Sequence, residues 1–283
     1  MTRQLAIRFD VDTHRCVREG MPALSELGRE LGVPFTFFVN MGRAVFLPGR
    51  LMSERREPRP VAAKLPARQK LGVRRWLEAA ILNPRVGAGS PDVLRAAAEA
   101  GHEIGLHGGR NHARWQREAQ EWTASRVGAE IDAVLPLLRD ALDGAPVRGF
   151  ASPGWTTHPA LPDLLAQRGF HYLADLHGPQ PASGVATEEP VGPLHTVRTQ
   201  LTGEPGGVAY LEHLRACGLD DDAVVRRAMD DLAGVGPRAA LYDHPYHAGV
   251  RELETLRRIV QSARDEGYRI VSMAELAGTE RAA

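Results

Sequence analysis

The sequence has little cysteine, no net charge and no long apolar run, and each shortage excludes a class of protein. Two cysteines among 283 residues are too few for a disulfide-stabilised scaffold. The 35 basic and 35 acidic residues cancel, which argues against a surface built for nucleic acid. No apolar run approaches the roughly 20 residues that cross a bilayer, and the N-terminus lacks the apolar stretch of a signal peptide. We therefore expect a cytoplasmic protein that does not bind nucleic acid.

Several binding and catalytic motifs are also missing. No G-x-G-x-x-G follows the first predicted strand, which argues against a dinucleotide-binding fold. The chain contains neither a P-loop nor the G-x-S-x-G nucleophile elbow of serine hydrolases. With 43% hydrophobic and 25% charged residues, a chain of this length buries a core without a disulfide or metal staple. We expect a single domain over residues 1–283.

Short apolar runs alternate with longer helical patterns along the whole chain. The predicted strands are residues 5–9, 33–39, 103–106, 147–151, 170–173, 191–198, 238–242 and 269–271. The predicted helices are residues 18–31, 92–100, 115–142, 159–168, 220–233, 250–266 and 273–276. This alternation is typical of an α/β fold with a parallel sheet. About seven strand–helix units favour a barrel over an open, doubly wound sheet.

The net charge of zero hides a strongly basic segment. Residues 43–78 contain ten basic and three acidic residues, a local charge of +7, and the other 25 basic and 32 acidic residues carry −7. The segment belongs to an insertion, residues 43–90, after the second predicted strand. A helix at 68–82 with Trp and Leu opposite its arginines predicts contact with an anionic membrane surface. A solvated surface insertion is the alternative, and the sequence leaves both open.

Carboxylates and imidazoles follow the predicted strands where those strands end. Asp10 and Asp12 stand two residues apart directly after the strand predicted at 5–9, so the alternation of strand side chains points both the same way. His107 and His112 follow another strand, and in a parallel α/β barrel such strand ends meet on one face. Two imidazoles and one carboxylate form an open site for zinc or another divalent ion. An Asp-x-Asp glycosyltransferase motif is the alternative, but it leaves the histidines unexplained.

Three further segments end at the same predicted face. His244 is a candidate general acid, because imidazole titrates near neutral pH. Pro153, Gly154 and Trp155 form a turn that either presents an aromatic wall to a ligand or simply connects two elements. Asp175 either orients an imidazole or caps a loop.

These segments, in this order, resemble the polysaccharide deacetylase (NodB-homology) family, whose fold is a distorted (β/α)7 barrel. The matching segments are residues 9–12, 107–112, 151–155, 172–175 and 241–244. The resemblance implies a metal-dependent hydrolase that removes an N-formyl or N-acetyl group from an amino sugar. It implies Asp10 as general base and His244 as general acid, with Asp175 in the fourth motif. The metal ligands that it implies are Asp12, His107 and His112.

Within the family, the chain is most similar to the subgroup that deformylates 4-deoxy-4-formamido-L-arabinose-phosphoundecaprenol. Residues 10–13, 18–22 and 40–43 carry that similarity. It implies a sugar carried on a polyprenyl phosphate at the inner face of the membrane, with Arg74 and Arg75 among the substrate contacts. Two alternatives remain open: a soluble polysaccharide, oligosaccharide or small-amide hydrolase of the same fold, and a non-catalytic relative that binds sugar or lipid.

The chain departs from the family pattern at two positions. The second motif usually spaces its histidines as His-x-x-x-His, whereas Asn111 stands at the second of those positions and the next histidine is His112. We expect His112 to be the ligand, because imidazole binds metal better than an amide. The third motif usually begins with an arginine that holds the base, and here that residue is Ala151. Arg110 and Arg148 are candidates to replace it.

Overall fold

A computed structural model describes residues 2–44, 63, 83, 85–179, 188–191 and 194–279. Its strands are β1 Arg3–Val11, β2 Thr36–Val39, β3 Glu103–His107, β4 Gly149–Ala151, β5 Tyr172–His177, β6 Glu188–Val191, β7 Leu194–Thr199, β8 Arg238–Asp243 and β9 Tyr268–Val271. Its helices are α1 Met21–Leu31, α2 Pro91–Glu99, α3 His112–Glu118, α4 Ala124–Asp132, α5 Leu135–Ala141, α6 Leu161–Ala166, α7 Tyr210–Ala216, α8 Asp221–Val235, α9 Pro245–Ala248, α10 Leu253–Asp265 and α11 Met273–Leu276.

Seven parallel strands curve into a nearly closed barrel in the order β7-β5-β4-β3-β2-β1-β8. Strand β6 pairs antiparallel with β7, and β9 pairs with the first four residues of β1. A parallel bridge between Leu201 and Leu241 crosses the seam between β7 and β8. The prediction of a distorted (β/α)7 barrel is therefore confirmed.

Strand β1 alternates its side chains between the helical layer and the barrel interior. Leu5, Ile7 and Phe9 belong to the large apolar cluster that packs against the helices. Ala6 belongs instead to a second, interior cluster. Because strand side chains alternate, Arg8 points to the same side as Ala6, and so do the aspartates that follow. The strand thus delivers its charged residues into the barrel.

A polar cluster around Glu103 closes the end of the barrel at which the strands begin. The Glu103 carboxylate accepts hydrogen bonds from the hydroxyls of Tyr172 at 2.7 Å and Thr36 at 2.8 Å. It also accepts one from the backbone N–H of Ala274 in α11 at 3.0 Å, which fastens this C-terminal helix across the barrel. Tyr172 passes so close to Gly149 that a Cβ there would lie 2.2 Å from the tyrosine oxygen. The residues of the predicted site lie at the other end, here called the mouth.

The prediction of one long helix over residues 115–142 is wrong. The chain there forms α3, a 3-10 turn at Ala119–Glu121, α4 and α5. The side chain of Thr123 accepts a hydrogen bond from the backbone N–H of Arg126 and so caps a new helix start. Pro136 lies in the first turn of α5, where its missing N–H costs nothing, although it would break a helix interior. The short elements β6, α7 and α9 were not predicted.

Most of the basic insertion lies outside the described residues. Of residues 43–90, the structure describes 43–44, 63, 83 and 85–90. The predicted helix at 68–82, with Arg74 and Arg75, lies outside the described residues. Across the described ranges, no helix combines the length and apolar character needed to span a membrane.

Candidate metal centre

Three side chains from two strand ends and one helix start converge at the mouth. Asp12 Oδ1 lies 3.2 Å from Nε2 of His107 and 3.1 Å from Nε2 of His112. One ligand atom from each residue lies within 4.8 Å of the other two. The structure thus brings together the three residues that the sequence nominates as metal ligands, whose binding role remains a prediction.

His107 is oriented by the neighbouring strand. Its Nδ1 lies 2.8 Å from the carbonyl oxygen of Ala151, which leaves Nε2 facing Asp12. Metal-binding histidines in proteins are commonly oriented by such a carbonyl contact. The chain turns sharply at the next residue, Gly108, where φ is +76° and a Cβ would lie 2.5 Å from Pro153.

The helix cap explains how the extra residue between the histidines is accommodated. The side chain of Asn111 accepts a hydrogen bond from the backbone N–H of Arg114 at 2.9 Å and caps α3. His112 then begins the helix and directs its imidazole at Asp12. This geometry favours His112 over Asn111 as the third ligand.

The donor set fits a divalent cation. Asp12 Oδ1 and His112 Nε2 are both buried, and neither has a hydrogen bond of acceptable geometry within the part of the chain that the structure describes. Carboxylate oxygen and imidazole nitrogen are ligands that zinc and related divalent ions accept. Three protein ligands leave one coordination position open, as in catalytic zinc sites.

The carboxylate of Asp12 stays ionised within this cluster. Burial by itself would raise the pKa of Asp12, but the charge of His112 and the close approach of three imidazoles, those of His107, His112 and His244, outweigh it. The pKa of Asp12 therefore lies well below its usual value. For His107, burial would lower the pKa, but the carboxylates of Asp10 and Asp12 raise it above the usual value.

Asp10 is buried beside this cluster and is paired with Arg8. One Asp10 oxygen lies 3.8 Å from Nε2 of His107. Arg8 Nη2 donates to both Asp10 oxygens, at 2.6 and 2.8 Å. The sequence suggests Arg110 or Arg148 as the arginine beside Asp10, whereas in the structure Arg8 pairs with this carboxylate. Arg148 precedes β4, at the start of that strand rather than at its mouth end.

Arg110, the second arginine suggested by the sequence, lies beside Glu130 at the surface. The guanidinium of Arg110 lies 3.9 Å from the Glu130 carboxylate, and its side chain is 60% exposed. The backbone N–H of Arg110 donates to the same carboxylate at 2.9 Å. Arg110 therefore belongs to the surface of the α3–α4 region.

His244 reaches the cluster from the end of β8. Its Nε2 lies 3.2 Å from Asp12 Oδ2 and 3.0 Å from the hydroxyl oxygen of Tyr242. The backbone N–H of His244 donates to the buried carboxylate of Asp243 at 2.7 Å, which fixes the chain at this point. Burial, reinforced by the charges of Asp10 and Asp12, raises the pKa of Tyr242 well above its usual value. Tyr242 therefore remains protonated beside the imidazole.

Asp175 supports the turn that follows β4. Its Oδ1 accepts a hydrogen bond from the backbone N–H of Ser152 at 2.6 Å, and its Oδ2 accepts one from the Thr157 hydroxyl at 2.7 Å. Burial raises the pKa of Asp175 against the opposing effect of these hydrogen bonds. Because both oxygens bind the turn, the geometry favours the loop-capping alternative over the orientation of an imidazole.

The turn itself carries the predicted substrate contacts. Pro153, Gly154 and Trp155 form a single 3-10 turn in which Trp155 has a φ of +57°, a strained value for a residue with a side chain. The Trp155 ring lies 4.9 Å from the His177 ring and 4.7 Å from the Arg8 guanidinium carbon. Trp155 therefore packs against Arg8 and His177, and its contact with a ligand stays a prediction.

The family model for polysaccharide deacetylases matches residues 2–173, which is more than half of the chain. The chain belongs to the polysaccharide deacetylase family. The matched region contains Asp10, Asp12, His107 and His112, whereas Asp175 and His244 lie beyond its end.

Among curated relatives, the chain is similar to a protein of Shewanella sediminis named "Probable 4-deoxy-4-formamido-L-arabinose-phosphoundecaprenol deformylase ArnD". The two are 31% identical over 201 residues, which is 66% of this chain and 62% of that relative. More than a third of the relative's length is therefore unmatched.

Solved members of the same fold cover nearly the whole chain. A pseudoenzyme of carbohydrate esterase family 4 from Bacillus anthracis is 12% identical, with a TM-score of 0.57 over 99% of this chain and 67% of that one. A family 4 carbohydrate esterase from Streptomyces lividans, solved with acetate, is 14% identical, with a TM-score of 0.53 over 95% of this chain and 91% of that one. At these identities the likeness shows the fold alone.

Sequence reasoning missed two residues of this family member's site, Arg8 and Tyr242. Each stands two positions before a nominated residue on the same strand, Arg8 before Asp10 and Tyr242 before His244. Alternation along a strand puts such pairs on one face. That spacing was the signal that could have identified both.

Proposed function

We propose that this polysaccharide deacetylase is a metal-dependent hydrolase that removes an N-formyl or N-acetyl group from an amino sugar. The observation that carries the proposal is the convergence of Asp12, His107 and His112 at the barrel mouth, flanked by Asp10 and His244. Membership of the family supports the same chemistry.

Each residue has a defined task in this reaction. Asp12, His107 and His112 would hold the metal, most favourably zinc, which when bound polarises the amide carbonyl as a Lewis acid. Asp10 takes the proton of the attacking water as general base. His244 gives a proton to the departing amine nitrogen as general acid. The products are a free amino sugar and formate or acetate.

We further propose that the sugar is carried on a polyprenyl phosphate. The similarity to the Shewanella sediminis protein supports an N-formyl amino sugar on such a lipid. The charge distribution supports it independently, because residues 43–78 carry +7 while the rest of the chain carries −7. Each Lys or Arg near an anionic bilayer contributes about 1 kcal/mol to binding. Arg74 and Arg75 of this segment would then contact the lipid phosphate or the inner membrane surface.

A second candidate is a soluble polysaccharide or oligosaccharide deacetylase. The family model favours this alternative, because it describes polysaccharide deacetylases. It differs from the first proposal in its substrate and not in its chemistry, so a comparison of substrates separates the two.

The deciding experiment offers zinc-loaded protein two substrates. One is an N-formyl amino sugar on a polyprenyl phosphate in detergent, and the other is a water-soluble N-acetyl chito-oligosaccharide. Released formate, acetate and free amine are measured by mass spectrometry, with Asp12→Ala as the control for contaminating activity. We expect hydrolysis of the lipid-linked substrate. Hydrolysis of the soluble one alone would support the second candidate, and no release from either would refute both.

The membrane proposal has its own test. Exchange of Arg74 and Arg75 for Glu is expected to weaken sedimentation with anionic liposomes, and the loss should shrink as salt rises. The matched control is the same exchange at Arg226 and Arg227, an exposed adjacent pair on α8. Equal binding by both double variants would overturn the role of the basic segment.

A further inference from the structure

Arg8 is a buried cation inside the barrel, and its partners show what it holds. Its side chain is 1% exposed. Its Nη2 donates to both oxygens of Asp10, at 2.6 and 2.8 Å. Its Nη1 donates to the carbonyl oxygen of Ala174 on β5 at 2.5 Å. The guanidinium therefore ties the carboxylate on β1 to a strand on another part of the barrel wall.

Aromatic rings from three separate elements enclose the same guanidinium. Its carbon lies 4.7 Å from the ring centre of Phe38 on β2, 4.7 Å from that of Trp155 in the turn after β4, and 5.3 Å from that of Tyr242 on β8. Rings at these distances attract a guanidinium and restrict its movement. These contacts hold the Arg8 guanidinium in one position, and its two hydrogen bonds hold the Asp10 carboxylate beside it.

The geometry points to Arg8 as the positioning residue of the general base, a conclusion that rests on the proposed function. Arg8 is not one of the three residues whose ligand atoms converge; it fixes the orientation of Asp10 and pairs with its buried charge. Asp10 is only 4% exposed, and a buried carboxylate without a paired cation carries a large free-energy penalty. The arginine that pairs with the base therefore comes from β1 in this chain.

The position on β4 where the family pattern would place an arginine is filled differently. Ala151 is fully buried in the interior cluster that also contains Ala174. Ala174, in turn, supplies the carbonyl that anchors Arg8. Because Ala151 is small, the barrel interior has room for the guanidinium of Arg8, which extends from β1.

The test uses Arg8→Lys and Arg8→Ala in the zinc-loaded, full-length protein. Lysine keeps a cation but lacks the planar fork that reaches two oxygens and a carbonyl. A misplaced base weakens transition-state binding but not substrate binding, so we expect kcat to fall about 100-fold in both variants. KM and bound zinc should stay within about twofold of the wild type.

Chemical rescue distinguishes positioning from structural support. Millimolar methylguanidinium should restore at least about tenfold of the lost kcat in Arg8→Ala, and methylammonium should not, because only the former has the fork. If Arg8→Ala does not fold, the kcat, KM and zinc content of Arg8→Lys decide the matter.

The outcomes separate this inference from the function on which it rests. Wild-type kcat in Arg8→Lys would overturn the role of Arg8 and leave the hydrolase proposal intact. Parallel loss of zinc and activity would also overturn it, because Arg8 would then support the metal ligands. Absence of hydrolysis by the wild-type protein refutes the proposed function first.

Discussion

Zinc should raise the melting temperature of this protein, and the rise should depend on His112. His112 supplies one of three converging ligand atoms, and its Nε2 lies 3.1 Å from Asp12. A ligand that binds only the folded state stabilises it by mass action. Removal of one imidazole should therefore weaken both metal binding and the stabilisation that follows from it.

The size of the effect follows from chain length. Unfolding entropy of about 2.1 cal/mol/K per residue gives about 0.6 kcal/mol/K for 283 residues. Free zinc at 100 times Kd contributes about 2.7 kcal/mol, so the melting temperature should rise by about 4–5 °C. If His112→Ala weakens binding about 100-fold, the same zinc contributes only about 0.4 kcal/mol. The rise in that variant should then be under about 1 °C.

Differential scanning calorimetry of metal-stripped protein with added zinc measures this directly. His195→Ala is the matched control, because His195 is an exposed histidine on β7. It should show the full rise. A rise of 4–5 °C in His112→Ala, or none in the wild type at saturating zinc, would contradict the assignment of His112 to a zinc site.

Further predictions concern the base Asp10, the two thiols and the polar cluster around Glu103. Asp10→Asn should retain zinc and lower kcat about 10²–10⁴-fold; metal analysis beside steady-state kinetics checks this, and wild-type turnover would disprove the base assignment. Cys16 is buried, with a pKa raised to about 11 by burial and then by the charge of Asp12, whereas Cys217 is exposed. At pH 8 one thiol per chain should react quickly with Ellman's reagent, and two fast thiols would contradict this placement. Glu103→Ala should lower the free energy of unfolding by about 2–4 kcal/mol, because buried donors lose their acceptor. Urea titration should find a smaller loss of unfolding free energy for Glu103→Gln, and equal losses would argue against the stabilising role of the cluster around Glu103.

The sequence predicted the barrel and the proximity of Asp12, His107 and His112 because both depend on local patterns. The alternation of short apolar runs with helical patterns indicates an α/β fold with parallel strands, and parallel strands bring their carboxyl ends together. A polar residue just after a predicted strand is thereby assigned to the mouth without knowledge of any contact. The position of His112 is harder to predict, because the direction of its imidazole depends on the helix cap at Asn111.

Strand alternation could place Arg8 on the same face as Asp10, but the contacts that hold Arg8 could not be predicted from local patterns. Its partners come from elements far apart in the chain, Ala174 on β5 and the rings of Phe38, Trp155 and Tyr242. The overlong helix at 115–142 failed for the opposite reason, because its apolar spacing continues across breaks that Thr123 and Pro136 impose. Periodicity describes which face is buried, and capping residues decide where a helix ends.

A zinc titration of metal-free protein, with bound zinc and amide hydrolysis measured in the same samples, shows whether hydrolysis depends on the metal centre. We expect activity to rise in proportion to bound zinc and to saturate at one ion per chain. Asp12→Ala should show neither binding nor activity at the same zinc concentrations. Full hydrolysis by the metal-free protein, or stoichiometric zinc in Asp12→Ala, would contradict the claim that Asp12, His107 and His112 form the metal centre of a hydrolase.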